Sequence, residues 1–162
     1  SVKSGVVTKP EDMVCLNRLV STADDLDAIG IIGIFRYIEI YLKRGIPDSE
    51  ISKKVIKNLK NRFNNFTNAY SSLHRFADKQ RVRYMETLNF FIELDSEMSQ
   101  GLNNPDSQLA VFKILKEQLV EKKQSIDKTI SIAINTSSAS YPLYFFSKLK
   151  SELNVTSAIL IG

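Results

Sequence analysis

Cysteine, histidine, glycine and proline are all scarce in this chain, and each shortage removes a class of architecture or chemistry. The single cysteine, Cys15, has no partner for an internal disulfide. A small extracellular disulfide scaffold is therefore excluded, and a reducing intracellular compartment, cytoplasmic or nuclear, is expected. The one histidine, His74, has no second His and no neighbouring Cys to complete a zinc ligand set, so no metal or other cofactor is expected. A Cys15–His74 nucleophile pair would need the two to meet in space. The run Met13-Val14-Cys15-Leu16 reads instead as an apolar core face, where free cysteines usually pack. Six glycines and four prolines in 162 residues are too few for a strand-and-turn fold, which needs turn residues every ten positions or so. A long hydrophobic run is missing as well. The longest, Ala28–Leu42, is interrupted by Arg36 and Glu39 and is too short to span a bilayer as a helix. Three Asn-x-Ser/Thr triplets, at Asn65, Asn135 and Asn154, have no signal peptide to support them as glycosylation sites.

The chain is 43% hydrophobic and 25% charged, the balance of a globular protein and long enough to bury a core without metal or disulfide. The expected organisation is a flexible polar leader over 1–10, a single helical domain over 11–154 and an apolar tail over 155–162. Since the chain opens on Ser1, the expectation is a domain of a larger protein or assembly. The net charge of +4 permits an acidic partner without demanding one.

Hydrophobic spacing predicts an all-α fold, a compact bundle of five to six helices. A first helix runs from about Glu11 to Val20, with Met13, Leu16 and Val20 on one face. A second runs from Thr22 to about Arg44. Thr22 and Asp25 make a capping-box-like start, and Gly45 and Pro47 stop the helix. It is apolar nearly all round, through Ile29, Ile31, Ile32, Ile34, Phe35 and Ile38, so it is the expected buried centre of the bundle. A third carries the clearest stripe (Ile51, Val55, Leu59, Phe63, Phe66, Tyr70, Leu73) and reaches to about Arg75. A fourth, from near Asp78 to Gly101, presents Val82, Met85, Leu88, Phe91, Ile92 and Met98. Asn104 and Pro105 then signal an N-cap and first turn for one long fifth helix reaching Ala133. After a loop over 136–140, a last helix starts near Tyr141-Pro142 and carries Phe145, Phe146, Leu149 and Leu153.

Two motifs invite chemistry and fall short of it. Gly30-Ile31-Ile32-Gly33 has the GxxG spacing of a nucleic-acid clamp, but it is filled with isoleucine inside a predicted helix. Close helix–helix approach explains it better. It also lacks the further glycines and the Lys of phosphate-binding loops. Asp24, Asp25 and Asp27 lack the alternation, central Gly and closing Glu of a calcium loop, and suit the positive end of a helix instead.

Charge is polarised along the chain. Between Asp48 and Tyr84 nine Lys/Arg stand against three acids, whereas Met85–Asp106 holds five acids (Glu86, Glu93, Asp95, Glu97, Asp106) and no base. Lys53, Lys57 and Lys60 share the third helix's outer face with Asn61, Asn64 and Asn68. Together with Arg62, Arg81 and Arg83 they make a candidate basic binding face for a phosphate backbone or an anionic membrane surface. The alternative is an ordinary solvated face. Phe63, Phe66 and Tyr70 lie on the opposite stripe, poorly placed to stack on bases. Tyr141, Tyr144, Phe145 and Phe146 crowd one short segment and are candidate protein-docking aromatics. With no acid–base, metal or phosphate constellation, the expected function is a non-catalytic protein–protein interaction domain, a scaffold or adaptor. No small-molecule substrate is expected. The alternative is a basic helical RNA- or DNA-binding domain.

Overall fold

In the computed structural model, residues 29–69 and 74–161 are described, and among them every regular element is a helix. In chain order these are α1 (Gly30–Lys43), α2 (Asp48–Ala69), α3 (His74–Gln100), α4 (Gln108–Leu115), a π-helical turn (Lys116–Glu121), α5 (Ile126–Thr136) and α6 (Ser140–Ile161). The fold is the all-α bundle that the spacing predicts. The expected first helix over 11–20, the leader and the Asp24–Asp27 cluster lie outside the described residues.

The apolar helix is the hub. α1 packs on α2, α3, α4, the π-helical turn and α6, with Ile31, Ile34 and Ile38 fully buried. Ile40 alone among its isoleucines is exposed. Aromatic rings tie the core helices together. Tyr37 of α1 meets Phe91 of α3 edge to face at 6.2 Å, the arrangement ring quadrupoles favour, and Phe90 of α3 meets Phe145 of α6 as a tilted pair at 5.7 Å.

Local capping signals misplace the start of α1. The described helix begins at Gly30, whose φ of +83° suits glycine, and no side chain of its N-cap residue, Ile29, caps it. Its free amides are served by distant residues instead. Gly30 N donates to Thr87 Oγ1 of α3 at 2.7 Å, and Ile32 N donates to Glu152 Oε2 of α6 at 2.8 Å. The Glu152 carboxylate thus sits at the positive end of the α1 dipole. The other end follows the local signal: Gly45 N donates to Leu42 O and Ile46 N to Tyr41 O, closing the helix in a Schellman motif.

The single long fifth helix is a further correction. Ser107, not Asn104, caps α4, accepting from Ala110 N at 3.2 Å. Asn104 Oδ1 instead accepts from Asp106 N, turning the chain before the helix starts, so Pro105 is not its first residue. Beyond the π-helical turn the helix breaks. Lys123 takes φ +52°, and Ser125 caps a new helix by accepting from Lys128 N. Polar Lys122-Lys123-Gln124-Ser125 buries no apolar surface to hold a straight helix together, and Ser125 offers the backbone an alternative. α3 starts at His74 rather than near Asp78, and α6 runs on through Ile161, so the tail's backbone continues that helix. Among the described residues no helix is long and apolar enough to cross a membrane.

Candidate interaction surfaces

Three surfaces follow from how α2, α3 and α6 distribute their side chains. α2 turns Ile51, Val55, Leu59 and Phe63 inward. Lys53, Lys57 and Lys60 are exposed on the opposite side, with Asn61, Asn64 and Asn68. The three lysines have no ion-pair partner among the described residues. Arg81 of α3 is also exposed, and its guanidinium lies 5.7 Å from the Phe63 ring in a cation–π contact. Phe63 in turn stacks on Tyr84 at 4.1 Å, and burial pushes the Tyr84 phenol above its ordinary pKa.

Two of the arginines assigned to this basic face do structural work. Arg83 is half-buried. Its Nη2 donates to Ile29 O at 3.1 Å and its Nη1 to Gln80 Oε1 at 2.9 Å. A Cβ on Gly30 would stand 3.0 Å from Arg83 Nη2. The first glycine of the GxxG is therefore a seat for a guanidinium, at a left-handed backbone position, not the close helix–helix approach expected. Arg62 Nε donates to Asn58 Oδ1, which also accepts from Tyr37 Oη at 2.6 Å. The Tyr37–Asn58 bond fastens α2 to α1, and Arg62 supports that Asn58 from within α2.

The acidic stretch divides the same way. Glu97 is buried and accepts from Leu109 N at the start of α4. Asp106 Oδ1 accepts from Tyr141 N at the start of α6, at 2.6 Å. Glu86 lies beside Tyr141. Burial first, and then the charges of Glu86 and its neighbours, push the Tyr141 phenol far above its ordinary value. Only Glu93 and Asp95 are left over, with no ion-pair partner among the described residues.

The aromatic segment is a core element more than a docking patch. Phe145 and Phe146 are fully buried, Tyr141 is half-buried, and only Tyr144 is exposed, with Lys148 Nζ 5.8 Å from its ring. Phe145 and Phe146 fit inside because α6 packs against α1, α4 and α5.

The third surface was hidden in the spacing of α3. Val82, Met85 and Ile92, read from spacing as core residues, face solvent at 69%, 43% and 45% exposure. Of the expected face the core keeps Leu88 and Phe91, and it takes Phe90 and Leu94 besides. At about 100° per residue the set Val82, Met85, Asn89, Ile92, Ser96 falls within an arc of about 80°. Asn89 and Ser96 are exposed too. The sequence signal for this is a surplus: α3 carries apolar residues all around its circumference, more than one buried face can absorb.

The described surface also holds open depressions. An open groove of about 640 Å³ has Met98, Leu109 and Phe112 among its lining residues, and Asp48, Lys116 and Glu121 at its charged side. Lys116 Nζ donates to Asp48 Oδ2 at 2.6 Å, which raises the Lys116 pKa. A second, of about 480 Å³, lies between the Asn103–Pro105 turn and residues 136–139. Among the described residues no group of three His, Cys, Asp or Glu is placed to hold a metal. Cys15 and the His74 side chain lie outside the described residues. No protein-family model, curated protein or solved structure matches this chain.

Proposed function

We propose that the chain is a non-catalytic protein-interaction module, a scaffold or adaptor domain, and that it engages its partner through the outer face of α3. The observation that carries this reading is the exposed stripe of Val82, Met85 and Ile92. Single exposed apolar residues are ordinary. A line of them along one helix face is what a partner helix or groove covers. Burying such surface returns roughly 25 cal/mol per Å², with charged residues at the rim to set orientation. The test is cross-linking mass spectrometry in native extract with the wild-type chain and with V82D/I92D. The expected result is cross-links from α3 to another chain in the wild type and their loss in the variant, with an unchanged circular-dichroism spectrum. Absence of any cross-link on α3, or cross-links indifferent to the substitutions, rejects the reading.

A second reading has its own observation. Lys53, Lys57, Lys60 and Arg81 are exposed, and the three lysines lie along one side of α2, where a phosphate backbone or an anionic membrane surface would find them unpaired. Fluorescence anisotropy with labelled single-stranded RNA and duplex DNA, between about 50 and 200 mM salt, tests the nucleic-acid form. Each phosphate contact adds about 0.7–0.9 to the log–log salt slope. Binding that weakens steeply with salt and disappears in K53E/K57E/K60E supports this reading, and no binding at low salt retires it.

A further inference from the structure

We infer that the partner covering the outer face of α3 is the same helix of a second copy of this chain, laid antiparallel. The inference rests on the interaction reading above and names its partner. Three features of α3 carry it.

The exposed set Val82, Met85, Asn89, Ile92, Ser96 advances by alternating steps of three and four residues. That is the seam of a helix pair rather than a scattered surface, since a repeat averaging about 3.5 residues keeps one edge facing a straight neighbour. A single polar Asn89 sits in its middle, the kind of residue that fixes register in such seams. α3 is also long, 27 residues, or about 40 Å at 1.5 Å per residue, so the seam lies well inside the helix.

The third feature, charge, selects the occupant. Of the charges on α3, those already bound within the fold drop out: Arg83 on Ile29 O and Glu97 on Leu109 N. Beside the seam remain Lys79 and Arg81 in the N-terminal half and Glu93 and Asp95 in the C-terminal half, while exposed Asp78 prolongs the seam line itself, opposite Ser96 of the second copy in the antiparallel register, and Glu86 lies by Tyr141. A two-fold axis near residue 87 sets Val82 against Ile92 of the second copy and Met85 against its Asn89. The same register brings Lys79 to Glu93 and Arg81 to Asp95 of the second copy, and symmetry repeats each pairing. A parallel arrangement would set base against base and acid against acid. The helix is therefore complementary to itself in one direction only, which is the signature of an isologous interface.

The seam holds only three apolar residues, so the association is weak. Sedimentation velocity is run from about 10 to 500 μM chain, a range suited to a small interface. The expected result for the wild type is a monomer–dimer equilibrium, and for V82D/I92D a monomer throughout with an unchanged melting curve. Charge variants test direction independently of packing. K79E/R81E and E93K/D95K should each associate at least tenfold more weakly than wild type. The four substitutions combined in one chain restore the pairing and should recover wild-type association. A wild-type monomer at the highest concentration, a dimer indifferent to V82D/I92D, or a combined variant no better than its parents each overturns the inference. If the chain is monomeric while cross-links from α3 to a different protein still vanish in V82D/I92D, the second-copy inference fails and the interaction reading stands. If α3 cross-links to no chain at all, both fail.

Discussion

The outer faces of α2 and α3 are both open to solvent, yet one carries lysine and asparagine and the other valine, methionine and isoleucine. The two helices form the most extensive pair in the fold, so the contrast is not one of position. α2 has about as many apolar residues as its inner face can bury, and its remainder is polar, as for any surface helix. α3 has a surplus. Phe90, Phe91 and Leu94 fill the inner face, and Val82, Met85 and Ile92 have no place left in the core. A polar remainder is what solvation alone requires. An apolar remainder is destabilising in contact with water unless something covers it, and that makes α3 the more informative of the two surfaces.

The contrast predicts that inner and outer positions on the two helices respond in opposite ways. The largest effect is expected inside. Leu59→Ala on α2 and Phe91→Ala on α3 should cost about 2–5 kcal/mol each in chemical denaturation, because both are fully buried and leave cavities. A loss below about 1 kcal/mol at either site would mean that the assignment of inner faces is wrong.

Next in size are the arginines that share α3. Arg83→Ala removes the donor to Ile29 O and should cost about 1–3 kcal/mol. Arg81→Ala, at an exposed position, should shift stability by no more than about 0.5 kcal/mol. Equal effects at the two positions would erase the distinction between structural and spare charge.

A smaller, pH-dependent effect is expected at the α3–α6 boundary. The folded chain holds the Tyr141 proton more tightly than the unfolded chain, whose phenol ionises near 10.0. Above that pH the unfolded state binds fewer protons than the folded one, so stability is full below about pH 10 and is lost as pH rises. Lys116, raised chiefly by its hydrogen bond to Asp48, acts in the same direction. Melting temperatures at about pH 9 and about pH 11 should therefore fall in the wild type and fall less in Y141F. An identical fall in both would show that Tyr141 is not the group responsible.

The smallest effect belongs to the outer faces themselves. K53E/K57E/K60E and V82D/I92D should each leave the melting temperature within roughly 4 °C of wild type. A collapse in either would show that its face is buried against something within the chain.

Much of this fold is legible one helix at a time. The inward stripe of α2, the burial of α1 and its stop at Gly45 all follow from patterns a few residues long. Part of what escaped that reading is local, the Ser107 and Ser125 caps; the rest depends on a partner distant in sequence. The start of α1 depends on Thr87 and Glu152, that of α4 on Glu97, and that of α6 on Asp106. Nothing near those helix starts reveals these partners as caps, and Glu97 and Asp106 read as part of a plain acidic stretch. Among the candidate site residues, Lys53, Lys57, Lys60 and Arg81 lie exposed as read. Arg62 and Arg83 were indistinguishable from them without their hydrogen-bond acceptors. Phe145 and Phe146 could be placed only once α6 was seen to run between three other helices.

By itself the sequence determined that this chain is helical, that the isoleucine-rich helix is central and that α2 is amphipathic, because helix periodicity and local stop signals act within a turn or two of chain. Only the tertiary structure decided which apolar face of α3 goes inward, which charges serve as caps and which are spare. Burial and hydrogen bonding are properties of neighbours in space, and a helix apolar on every side carries no internal preference for the side it hides.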